Sequence, residues 1–137
     1  PVTKHFQAYG GVWPPHCVEG TKGAEFHPAL TLSPDVVILS KGMDPEQDAY
    51  SSFQAQDADG RDFAVSLGES GTQRLFVGGL ATDYCVRCTA LDALHEGFQV
   101  VVLQDAIAPV DLKPGDGERA IEEMRAAGAT FVTLDDV

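Results

Sequence analysis

The chain has 137 residues, enough for one domain with its own core, and its 44% apolar and 22% charged residues are those of an ordinary globular protein. Nine Lys and Arg stand against 21 Asp and Glu, a net charge of −12 that argues against a nucleic-acid surface and against docking on an anionic membrane. No apolar run reaches the length of a membrane span, the opening residues do not read as a signal peptide, and three cysteines, an odd number, suggest reduced thiols and a cytoplasmic protein.

The chain opens on Pro1, and Pro1–Phe6 reads like the middle of a loop, so a missing N-terminus is expected. Residues 1–35 are rich in Gly, Pro, His and aromatics, without a helical or strand period. They read as a long structured loop with a functional role. Val36–Ser40 is a short β-branched apolar run and predicts a buried strand. Asp62–Glu69 predicts a short helix, with Phe63 and Leu67 four apart and Gly71 as its stop. Leu75–Gly78 predicts a second strand. Cys85–Glu96 predicts a helix with Val86, Ala90, Leu91 and Leu94 at helical spacing and Gly97 past its end. Val100–Leu103 predicts a third strand, Asp116–Ala127 a helix closed by Gly128, and Thr130–Leu134 a fourth strand.

Continuous apolar strands alternating with helices imply an α/β fold: a three-layer, doubly wound, mainly parallel sheet covered on both faces. Residues 1–137 are read as one domain. A parallel sheet puts its strand carboxyl ends on one edge, where ligands bind. Lys41 and the segment Gly79–Cys85 each follow a predicted strand directly, so both belong to that edge.

Cys85 begins a predicted helix after a glycine-containing turn. Free amides at such a position stabilise an anion, and a thiolate there is nucleophilic at neutral pH. The ammonium of Lys41 would favour it further, and amides of the same turn could hold an oxyanion. A small buried cysteine and a solvated lysine are equally ordinary readings of these two residues taken alone. Cys85 and Cys88 also form a C-x-x-C, which fits a redox dithiol or half a metal site. His5 and His16 are loop histidines, which can ligate a metal but more often lie on the surface. Asp83 suits orientation of the turn or capping of the helix better than a role as base.

The run Gly79-Leu-Ala-Thr-Asp-Tyr-Cys85-Val-Arg resembles the nucleophile segment of the isochorismatase-like cysteine hydrolases. Trp13-Pro-Pro-His-Cys-Val-Glu-Gly-Thr21 and Gly23-Ala-Glu-Phe-His-Pro28 are similar to the nicotinamidase branch of that family. Lys41-Gly, followed by Asp48-Ala-Tyr-Ser-Ser-Phe53, is similar to the segment bearing the family's lysine. The resemblance covers residues 1–105 in order.

It implies hydrolysis of nicotinamide to nicotinate and ammonia, in NAD salvage, through a cysteine thioester. Cys85 would attack the carboxamide and Lys41 would support the thiolate. The amides of Ala81 and Cys85 would form the oxyanion hole, behind a cis bond between Leu80 and Ala81. Trp13 and Tyr50 would flank the substrate ring. His5 and His16 would ligate a divalent metal ion (zinc, iron or manganese). The partner implied is a small-molecule amide, and a homo-oligomer is compatible with the sequence. A sibling amidohydrolase acting on another small amide or carbamoyl substrate, and a non-catalytic or redox module, are the alternatives.

The sequence departs from the family in two respects. The family's catalytic Asp, at the end of an N-terminal strand, has no counterpart here. Nor do two metal ligands of an Asp-x-His motif shortly before the position of His5. One strand-helix-strand unit is therefore expected to be lacking: the sequence is part of a longer chain, or a separate chain supplies the rest, or the fragment is inactive. Proton-transfer help of the kind that Asp gives is typically worth about 10²–10⁴-fold.

Overall fold

The computed structural model describes residues 4–137, so the first three residues of the expected 1–35 loop lie outside it. Helix α1 spans Phe63–Glu69, strand β1 Arg74–Leu80, helix α2 Arg87–His95, strand β2 Gln99–Ala108, helix α3 Asp116–Ala127 and strand β3 Thr130–Val132. The strands form one parallel sheet in the order β1-β2-β3, with Leu75 opposite Val100 and Val102 opposite Phe131.

Both crossovers step the same way along the sheet. Right-handed connections of this kind deliver their helices to one face. Val100 and Val102 point to that face and pack with Ala90 and Ala93 of α2 and Met124 of α3. The alanines let α2 sit close to the strands, and Met124 fills the space between the helices and the sheet, with 0% of its surface exposed. The opposite face is barer among the described residues, and Phe76 on β1 is 49% exposed. Gly128, with φ 112, ends α3, and its N–H returns to the Met124 and Arg125 carbonyls.

The α/β class and the parallel sheet are those expected from the sequence. Two predicted elements differ. Val36–Ser40 forms no strand: only Ser40 bridges, antiparallel, to Gln56, and Val36, Val37 and Ile38 stand exposed. An apolar run becomes a strand only with a partner alongside, and none lies there among the described residues. The predicted helix Cys85–Glu96 is two pieces, a π-helical turn over Thr82–Val86 and then α2. The turn begins three residues before Cys85, so Cys85 lies inside it. The first 35 residues hold short 3₁₀ turns at Gln7–Tyr9 and Lys22–Ala24, and Phe6, bridged to Trp13, is their buried anchor.

Met124→Ala removes the central side chain of the helix–sheet core, and should cost about 2–5 kcal/mol of unfolding free energy. Urea denaturation measures this, and a loss under about 1 kcal/mol would show that the core lies elsewhere.

Candidate active site

β1 and β2 end side by side, with Leu80 paired to Ala108, and a cleft of about 450 Å³ opens beyond their carboxyl ends. Its walls come from distant parts of the sequence: His5 to Cys17, Lys41 to Tyr50, Leu80 to Cys85, and Val110. This is the edge at which open parallel sheets bind ligands.

Gly79 has φ 118, a conformation that side chains disfavour, and it lies at the register shift near the end of β1. The Leu80–Ala81 peptide is cis. The Tyr84 and Val86 N–H groups both donate to the Ala81 carbonyl at 3.1 Å, which coils the next residues into the π turn. Cys85 comes out of that turn half-buried at the cleft. Lys41 Nζ stands 3.3 Å from Cys85 Sγ and donates to the Ala49 carbonyl at 2.7 Å. A cation is thereby held against the sulfur from the opposite wall.

An aromatic cluster forms one side of the cleft. Trp13 Nε1 donates to Tyr50 Oη at 2.9 Å. Tyr84 packs edge-on against Trp13, with ring centroids 4.8 Å apart, and lies 5.4 Å from Tyr50. Burial, with the neighbouring Asp83 charge second, pushes the Tyr84 phenol up, so it stays neutral. Tyr84 stands in the nucleophile run, but sequence reasoning assigns it no role. Its place next to Cys85 in a turn was the one available signal.

His5 and His16 both line the cleft. His5 Nδ1 lies 2.7 Å from an Asp48 carboxylate oxygen, and His16 Nδ1 lies 2.7 Å from the Pro14 carbonyl. Acceptors at Nδ1 favour the tautomer that keeps a lone pair on Nε2, as in ligating histidines. Two imidazoles do not complete a site, however. Among the described residues no group of three or more His, Cys, Asp or Glu could hold a metal ion. The expected metal centre is therefore not made by these residues alone, because the further donors it needs are not among them.

The other polar candidates have plain roles. His27 is exposed and accepts the Ala29 N–H, and His95 is exposed on α2. The Asp105 carboxylate accepts the Leu134 N–H. Cys88 lies one turn beyond Cys85, and burial pushes its thiol up, with smaller contributions from nearby charges. Asp83 is buried, and its two oxygens accept the Val110 and Asp111 N–H groups, so it ties the turn to the loop after β2 and caps no helix.

The isochorismatase-domain family matches residues 3–136. The Escherichia coli nicotinamidase is 42% identical over 128 residues, which are 90% of this chain and 59% of that protein. The Mycobacterium tuberculosis nicotinamidase/pyrazinamidase is 41% identical over 90% of this chain and 64% of its own length. The crystal structure of Pyrococcus horikoshii pyrazinamidase in complex with zinc superposes with a TM-score of 0.84 and 45% identity, over 96% of this chain and 69% of that one. The chain thus spans about three fifths of the length of the curated relatives it matches. The cis turn, the half-buried Cys85 and the lysine against it occur in a chain whose relatives are amide hydrolases by name. The chain belongs to the isochorismatase family, in its nicotinamidase/pyrazinamidase branch.

Proposed function

We propose that the protein carrying this chain hydrolyses nicotinamide to nicotinate and ammonia through a thioester on Cys85. The observation that carries this reading is the 3.3 Å approach of Lys41 Nζ to Cys85 Sγ at the mouth of the cis turn. An ammonium at that distance would stabilise a thiolate nucleophile on Cys85.

Cys85 Sγ attacks the carboxamide carbon, and the carbonyl electrons move onto oxygen. The Ala81 and Cys85 amides receive that oxyanion, Ala81 immediately preceding and Cys85 within the π turn at the cleft. The C–N bond breaks and the nitrogen leaves as ammonia with the thiol proton. Water then attacks the thioester, releasing nicotinate and restoring Cys85. The Asp that the resemblance implies for proton transfer has no matching position in this sequence, and none of the residues named here is assigned that step. A metal-dependent step likewise needs donors besides His5 and His16.

The Trp13–Tyr50–Tyr84 cluster favours a flat aromatic amide over an aliphatic one, because ring stacking adds about 0.5–1.5 kcal/mol beyond simple burial. The dithiol reading of the C-x-x-C is weaker. Burial pushes the Cys88 thiol up, which lowers the thiolate fraction available for exchange.

Two measurements test the assignment. In the full-length protein, Cys85→Ala should lower ammonia release from nicotinamide by on the order of 10³-fold or more, and Lys41→Met by about 10²-fold. Equal activity of Cys85→Ala and wild type would refute the nucleophile. In a pH series with iodoacetamide, Cys88 should label only above the ordinary thiol range, because its raised pKa keeps it protonated below that. A Cys85–Cys88 disulfide that forms and reduces readily in glutathione buffers would instead favour the redox module.

A further inference from the structure

Asp83 is 7% exposed and lies midway between Ala81 and Cys85, the two residues whose amides face the proposed oxyanion. Its carboxylate spends one oxygen on the Val110 N–H and the other on the Asp111 N–H, both at 2.9 Å. Asp111, with φ 53, repeats the device: its own carboxylate accepts the Gly117 N–H at 2.7 Å in the first turn of α3. A Cβ on Gly117 would lie 2.6 Å from Pro109 Cβ, so this loop and the start of α3 are flush. On its other side, the Asp83 carbonyl accepts Arg87 Nε at 3.2 Å, and Arg87 pairs with Glu123 of α3 at 3.1 Å. Main chain and side chain of residue 83 are thus both tied to α3 and to the loop before it.

We infer that Asp83 is a positioning residue for the oxyanion turn, and that the Asp83–Asp111 pair is the strap that holds it. The inference rests on the amide-hydrolase reading above. The Asp83 carboxylate cannot turn without losing two N–H donors, so it anchors the middle of the turn, between the peptides that carry the Ala81 and Cys85 N–H groups. A buried carboxylate with both oxygens satisfied is a rigid anchor. Val110, carried on the same strap, stands in the cleft wall, so the strap also sets the cleft's width next to Cys85.

Two reactions of the same sulfur separate positioning from general structural support. Iodoacetamide is displaced at a saturated carbon: an S–C bond forms, the C–I bond breaks and iodide leaves. No charge develops on oxygen, and the turn amides contribute nothing. Acylation by nicotinamide forms the S–C bond at a carbonyl, moves the π electrons to oxygen, and expels ammonia with the thiol proton. Only this second reaction uses the amides.

In the full-length protein, well below its unfolding temperature, Asp83→Asn should lower kcat for nicotinamide about tenfold or more with KM within about threefold, while Cys85 alkylation stays within about twofold. Asp111→Asn, which changes a side chain bonded to Gly117 and leaves the Asp111 N–H that donates to Asp83 in place, should give the same split with a smaller loss, and it decides the matter if Asp83→Asn does not fold. Parallel loss of both reactions would make Asp83 merely structural, and unchanged kcat would remove it from the reaction; either overturns the inference. If the wild-type protein alkylates at Cys85 but releases no ammonia from nicotinamide, the hydrolase reading falls and takes this inference with it.

Discussion

The site depends on one contact, an ammonium held 3.3 Å from a sulfur across 44 residues of chain. Neither partner is fixed by its own element. Cys85 stands where the π turn leaves it, and Lys41 follows a segment that forms no strand. The Ala49 carbonyl holds the lysine in place. The residues on either side of Ala49 make further ties: Asp48 pairs with His5, and Tyr50 accepts the Trp13 indole N–H. Three consecutive residues therefore tie the sulfur's cation, the imidazole side and the aromatic wall into one cleft.

The sheet explains why the cleft lies where it does and why one face of the fold is bare. Successive parallel strands with like-handed crossovers send α2 and α3 to the same side and bring the ends of β1 and β2 together. On the other side Phe76 and, at the cleft edge, Leu80 remain exposed, at 49% and 72%. β1 is an edge strand among the described residues, and Val36–Ile38 lie exposed without a ladder. These apolar surfaces accompany a chain that spans about three fifths of its curated relatives' length.

Much of this was legible in the sequence, for identifiable reasons. The runs at Leu75, Val100 and Thr130 read as strands because buried parallel strands are continuously apolar, and α3 read to the residue because Asp116 and Gly128 mark its ends. Val36–Ser40 misled because an apolar run carries no information about whether a neighbour is present. The start of the nucleophile helix misled because a π turn has no side-chain period to announce it. The sheet-edge argument places Cys85 correctly, but for Lys41 it rests on a strand at Val36–Ser40 that does not form, and the Ala49 carbonyl that holds the lysine leaves no trace in the pattern. Asp83 read as a turn-orienting residue, while its partners, 27 and 28 residues on, could only be seen in the fold. The aromatic wall is half visible: Trp13 and Tyr50 come with ring-flanking roles from the motif resemblance, while Tyr84 stands in the nucleophile run without a role assigned to it.

The central claim is that Cys85 Sγ becomes acylated while Lys41 stands beside it. Rapid acid quench of the full-length protein turning over nicotinamide, followed by peptide mass spectrometry, tests it most directly. The account predicts a nicotinoyl adduct, substrate less ammonia, on the peptide bearing Cys85. Steady ammonia release with no adduct on that peptide under any quench time, or with the acyl group on another side chain, would contradict it.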